Sequence, residues 1–203
     1  MKRTRCVGVV YCMICVAWYG SVAGKDRMLS QRMCVRWEIG NWQPHSLNDS
    51  PQFTTFGEAG ATPFMSLGFN FPVLGEVGGQ LSLGYWSLRD LDEIERVHAV
   101  VLYPVVLEIK HWLVPNPRLA AYATYGAGLY WGVENETDIF HERFQSARRG
   151  WGLNIGAGFD WAFSRHLGLG MAFQYHFVIF NKSLGGVSDF SGPKIAAAIL
   201  YLL

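Results

Sequence analysis

Residues 151–163 read Trp151-Gly152-Leu153-Asn154-Ile155-Gly156-Ala157-Gly158-Phe159-Asp160-Trp161-Ala162-Phe163. Every odd position is apolar, and most are bulky. The even positions carry Gly, Asn, Asp and Ala. A β-strand sends successive side chains to opposite faces, so this period of two predicts a strand with one apolar face and one small or polar face. The next run repeats it. Leu167, Leu169, Met171, Phe173, Tyr175, Phe177 and Ile179 share one face, and Gly168, Gly170, Ala172, Gln174 and His176 share the other.

Six further runs alternate in the same way, at 34–42, 64–71, 77–88, 96–112, 118–132 and 194–203. The apolar faces of all eight runs hold no Asp, Glu, Lys or Arg, and His111 at a strand end is the one group on them that takes a charge near neutral pH. The second faces are mostly Gly, Ala, Ser, Asn and Gln. A soluble sandwich hides its apolar faces in a core and charges the others. A soluble lipocalin-like barrel needs an apolar interior and a charged exterior. Here that parity is reversed. The expected fold is all-β, an eight-stranded antiparallel up-and-down transmembrane β-barrel with a crowded interior.

Composition agrees. Of 203 residues, 50% are hydrophobic, 15% aromatic and only 16% charged, against about 25% in an average soluble domain. Such a chain is not disordered. With 17 basic and 16 acidic residues it has no electrostatic footprint for nucleic acid. The links alternate in length. Those at 43–63, 89–95, 133–149 and 180–193 are longer than those at 72–76, 113–117 and 164–166. Outer-membrane barrels have short periplasmic turns and long outside loops, so the long links are expected to face outward.

Residues 1–24 carry a basic start (Lys2, Arg3, Arg5), an apolar middle from Val7 to Trp18, and small residues at Ser21-Val22-Ala23. This is the pattern of an export signal, with cleavage expected after Ala23 or Gly24 and a barrel domain over 25–203. The apolar run is too short for a spanning helix. Cys6, Cys12 and Cys15 leave with the leader, so Cys34 has no partner for an internal disulfide.

The signal peptide, the strand count, the loop alternation and glycine/aromatic strands carry a family resemblance. The strands in question are Tyr125-Gly126-Ala127-Gly128-Leu129-Tyr130 and Gly152-Leu153-Asn154-Ile155-Gly156-Ala157-Gly158-Phe159. Over about 33–203 the chain resembles the small eight-stranded outer-membrane β-barrels, the OmpA-type, OmpX-like and OmpW-like group. The resemblance implies the outer membrane of a diderm bacterium, with outer-membrane lipids and the outer-membrane assembly machinery as partners. One departure is the end, Tyr201-Leu202-Leu203, where such barrels usually finish on the aromatic residue that the assembly machinery reads.

Three sets of residues are candidates for function. By parity, Arg36, Lys110 and Lys194 face inward against Glu38, Glu108 and Asp160, three charges of each sign. An unpaired buried charge is costly, so cancellation suits a plugged lumen, and an ion path lined by the same groups is the rival. Around the third and fourth runs the inward parity turns apolar, with Trp86, Leu88, Val100, Leu102, Pro104 and Val106. Pro104 cannot donate to a ladder and is expected to mark a bulge or break. The OmpW-like members of the resembled group imply a use for this patch, as a lateral route for small hydrophobic solutes. Ordinary packing is the other reading. Trp131 and Trp151 near the outer interface, with Trp161 and Phe163 near the inner one, are expected to form girdles of interfacial rings.

No chemistry stands out. His45, His98, His111, His141, His166 and His176 fall in no motif with a serine and an acid, although His176 and Asp160 face inward on neighbouring strands and are candidates for a hydrogen-bonded pair. No spacing suits a metal, and every Gly-x-Gly lies inside a strand, never between strand and helix. No cofactor is expected. The first functional expectation is a non-enzymatic surface barrel that contacts an extracellular ligand through its loops. The alternatives are the hydrophobic-solute channel and, more distantly, a lipid-modifying enzyme.

Overall fold

The computed structural model describes residues 28–49, 62–91, 97–114, 116–137 and 143–203. The expected leader and parts of three long links lie outside these residues. The long strands are β1 (Cys34–Trp42), β2 (Pro63–Leu74), β3 (Val77–Leu91), β4 (Val97–Val114), β5 (Leu119–Thr137), β6 (Arg143–Ala162) and β7 (Leu167–Leu184); a short β8 (Val187–Asp189) precedes the last, β9 (Gly192–Leu202). Each strand from β1 to β7 pairs antiparallel with the next. β9 then pairs with both β7 and β1. The eight long strands therefore form a closed antiparallel ring, which leaves no sheet edge within the ring unpaired.

The two faces separate as the alternation requires. Odd-numbered side chains point outward, and large apolar ones stay exposed there, Trp37, Ile39, Leu67, Leu129 and Ile155 among them. Even-numbered ones are buried inside. Glycine makes the interior fit. A Cβ on Gly158 would lie 2.5 Å from the Tyr122 hydroxyl, and one on Gly156 would lie 2.3 Å from a backbone oxygen.

The strands run farther than the alternation suggests. The link expected at 133–149 is largely hairpin, because β5 continues to Thr137 and β6 starts at Arg143 with the pairs in register throughout. The added length brings Arg89 and Arg149 onto the outward parity, beyond the apolar belt. The link expected at 180–193 is also structured. β7 runs to Leu184, Gly185 and Gly186 turn at φ 60° and 81°, and β8 folds back. A two-residue turn with both φ positive matches the twist of a hairpin.

Pro104 makes no bulge. Leu83 pairs with Val105 and Trp86 with Leu102 in one unbroken register, and only the two pairs between them are missing. The proline has no N–H to give, yet Gly84 opposite leaves space for its ring. A Cβ on Gly84 would sit 2.7 Å from Pro104 Cγ. On its other side Pro104 pairs normally with Tyr130 of β5. The inward parity of β4 is thereby kept.

Candidate functional site

The lumen has three layers. At the end nearer the long links, an apolar cluster joins Trp42, Phe64, Trp86, Leu102, Phe180 and Leu184 to Leu47 and Phe190. Leu47 comes from a short 3-10 turn, His45–Asp49. Phe190 comes from the connection between β8 and β9, and its N–H donates to the Val178 carbonyl at 2.8 Å. Both enter the barrel mouth. Trp86 and Phe190 meet edge to face with centroids 6.2 Å apart, and Trp86 Nε1 donates to the Trp42 carbonyl. At the opposite end, Leu29 from the 3-10 turn Leu29–Gln31 packs with Trp112, Tyr122, Leu200 and Leu202.

Between these lie the charges. Arg36, on β1, is wholly buried. Its Nε donates to Glu38 Oε1 at 2.6 Å and its Nη1 to Asp160 Oδ1 at 2.5 Å. Lys194 of β9 reaches the other oxygen of Glu38 at 2.9 Å, where Ser66 also donates. Asp160, Arg36, Glu38 and Lys194 thus form one chain across three strands. Lys110 is tied more loosely, 3.9 Å from Asp160 Oδ2, with its ammonium 4.3 Å from the Tyr122 ring centroid, a favourable place for a cation. Glu108 makes no ion pair among the described residues. Its Oε1 accepts from Gln174 at 2.7 Å and from the Asn154 amide. The six charges share one layer, but amides and rings complete it. The signal for Asn154 and Gln174 was their inward parity alone.

His176 and Asp160 do not meet. The β6–β7 register sets Asp160 opposite Gly170 and His176 opposite Asn154, so the two are six positions apart along the sheet, about 20 Å at strand rise. His176 Nδ1 instead lies 3.0 Å from the Tyr130 hydroxyl, and its ring sits against Trp42.

The apolar face expected as a solute route is filled. Trp86, Val100 and Leu102 are wholly buried, and Leu88 and Val106 nearly so. Leu47, Leu184 and Phe190 occupy the space that an open path would need. A void lies behind the missing β3–β4 pairs, bounded by Trp42, Gly84, Pro104, Glu108, Tyr130 and Lys194 among others. About 10 Å³ of it is open to a water centre, room for about one water molecule.

The rings expected at the interfaces do face outward. Trp131 and Trp151 are exposed on β5 and β6. Trp161 and Phe163 pair at 5.8 Å beside the 163–166 turn at the other end. No group of three or more His, Cys, Asp or Glu that could hold a metal occurs among the described residues.

The packing of the lumen also gives a direct test. A Cβ on Gly170 would lie 2.4 Å from Asp160 Oδ1 and 2.9 Å from Arg36 Nη1. Gly170→Ala is therefore expected to cost about 1–3 kcal/mol of stability, read as a lower urea midpoint of the refolded barrel. An unchanged midpoint would mean that the ionic layer is loosely packed.

The chain thus forms a closed eight-stranded antiparallel ring, apolar outside and ionic inside. The fold is that of the small outer-membrane barrels. A major outer membrane protein of Thermus thermophilus superimposes with a TM-score of 0.58 at 10% identity, over 85% of this chain and 98% of that one. The outer membrane protein OprG of Pseudomonas aeruginosa gives 0.57 at 14%, over 85% and 96%. Ail, the attachment invasion locus protein of Yersinia pestis, gives 0.51 at 12%, over 85% and 97%, in a complex with the heparin analogue sucrose octasulfate. No protein-family model and no curated protein matches the chain.

Proposed function

We propose that this chain is a non-enzymatic barrel of the outer membrane of a diderm bacterium, with a sealed lumen, acting through the hairpins and links at its long end. The observation that carries this reading is the filled interior. Two apolar plugs flank a layer of cancelling charges, while the outer face offers lipid chains a continuous apolar surface. Acyl chains are the partner that such a face requires. The assembly machinery is the other expected partner, meeting Tyr201-Leu202-Leu203 in place of a final aromatic. The projecting strands support an outward-facing long end, where loops on a rigid scaffold commonly bind.

A refolded protein with heat-modifiable mobility is expected to give no stable openings in planar bilayers. Stable openings that change with Leu102→Asp or Glu108→Gln would overturn the sealed lumen. The second reading, a conduit for small hydrophobic solutes, draws on the interrupted β3–β4 ladder and the void behind it. Openings that appear only when such solutes are added would favour it over the first.

A further inference from the structure

Two of the short turns carry a β-bulge, and both bulges act alike. β2 sets Pro72 opposite Gly78 but Leu74 opposite Val77, so Val73 is an extra residue. β4 sets Trp112 opposite Tyr122 but Val114 opposite Ala121, so Leu113 is extra there. An extra residue reverses the alternation beyond it. Leu74 and Val114, inward by number, therefore face outward beside Val77 and Ala121. Leu74 is 80% exposed, Val73 and Leu113 61% each, and Val114 56%. Bulges at a barrel rim re-aim side chains, and here each turns a second apolar residue to the outside.

The two turns are neighbours. The Trp112 N–H donates to the Glu76 carbonyl at 2.9 Å and ties the end of β4 to the β2–β3 turn. Val73 prolongs the outward row of Phe69 and Phe71 toward the rim. Leu113 prolongs the row of Leu107 and Ile109, with exposed His111 between. The turn between β6 and β7 is built differently. Its ladder runs to Ala162 and Gly168 with no shift of register, and the Ser164 N–H closes it on the Leu167 carbonyl. Exposed Arg165 stands there, its carbonyl accepting from Arg32.

A cluster of large apolar side chains left in water marks a surface that something covers. A second copy of the chain would meet only these four, against about 20 residues a side in a stable interface. Lipid covers them without a gap, because the rows that end in them are those of the apolar belt.

We propose that the Val73-Leu74 and Leu113-Val114 tips are a lipid anchor, entering the phospholipid leaflet at the short end of the barrel while the Arg165 turn stays in the headgroup water. This rests on the reading of the belt as lipid-facing and does not depend on which way the long end points. Phospholipid offers acyl chains to the four apolar side chains and polar headgroups to Glu76 and His111 beside them. An arginine carried into the hydrocarbon would be costly, which keeps the third turn out.

The test uses the unaltered barrel, methyl-labelled at Leu and Val, in phosphatidylcholine nanodiscs. Lipid with a nitroxide on its acyl chain should broaden the Val73, Leu74, Leu113 and Val114 methyl signals, together with those of Leu67 and Leu129 in the belt. A water-soluble gadolinium chelate should leave all six sharp and broaden the Arg165 amide. If the chelate broadens the four turn methyls while the belt keeps its lipid contact, the turns are in water and the anchor is lost. Turn methyls shielded from both agents, or dimers in sedimentation that Leu74→Asn dissolves, would mean that protein covers them, which overturns the anchor as well. Belt methyls that the nitroxide lipid fails to reach would sink the membrane reading itself, and the anchor with it.

Discussion

Arg36→Met is expected to destabilise the folded barrel by about 3–5 kcal/mol, the range for breaking a buried ion pair from one side. Arg36 is fully buried and bonds two carboxylates, Glu38 and Asp160. Methionine fills much of the space but leaves Asp160, among the described residues, with only Lys110, at 3.9 Å. Glu38 keeps Lys194. The double variant Arg36→Met/Asp160→Asn removes the stranded charge together with its partner, and most of the loss should return. Urea unfolding followed by tryptophan fluorescence, in a refolding detergent, measures both. A single variant that loses less than about 1 kcal/mol would mean that water reaches these carboxylates. That result would also undo the sealed lumen, because a solvated layer is an open one.

Phe190→Ala is the second large effect, and it separates stability from permeability. Phe190 is wholly buried against Trp86 and Phe180, and emptying such a site costs about 3–5 kcal/mol. The ionic layer lies deeper in the barrel than this plug, so the variant should still give no stable openings in planar bilayers. A barrel of lowered urea midpoint that remains closed is the expected result. Openings in Phe190→Ala alone would show that the mouth plug is the only barrier. The charges would then line a path.

The strands and their two faces were legible because period two is a local signal that each segment carries by itself. So was the set of inward charges, since parity alone puts Arg36, Glu38, Glu108, Lys110, Asp160 and Lys194 on one side of the sheet. Which charge meets which was not legible. Arg36 finds Asp160 across the ring through pairings of β1, β9, β7 and β6, and only the full register sets them opposite. The same register separated His176 from Asp160. Pro104 was legible in part. The break in pairing that its missing N–H predicts is there, two pairs of the β3–β4 ladder being absent, but the bulge is not, because Gly84, twenty positions earlier, yields space to the ring. The plug was missed because Leu47 and Phe190 sit in links, where polar neighbours hide a single apolar residue. The extra length of β5 and β6 was missed because charged residues such as Glu134 and Arg148 look like loop when the strand has already left the apolar belt.

The ring closes between β1 and β9, where Cys34 pairs with Leu202 and Trp42 with Lys194. This seam joins the two ends of the described chain, and contacts so remote in sequence are slow to form. The bond from Lys194 to Glu38 crosses the same seam. Until the last strand docks, Glu38 faces its surroundings without that ammonium, on a curled sheet that still has two open edges. Neutralising the interior and completing the ring are thus a single event. Insertion is accordingly expected to be all-or-none, since a chain stopped short of β9 would carry three inward carboxylates against two cations.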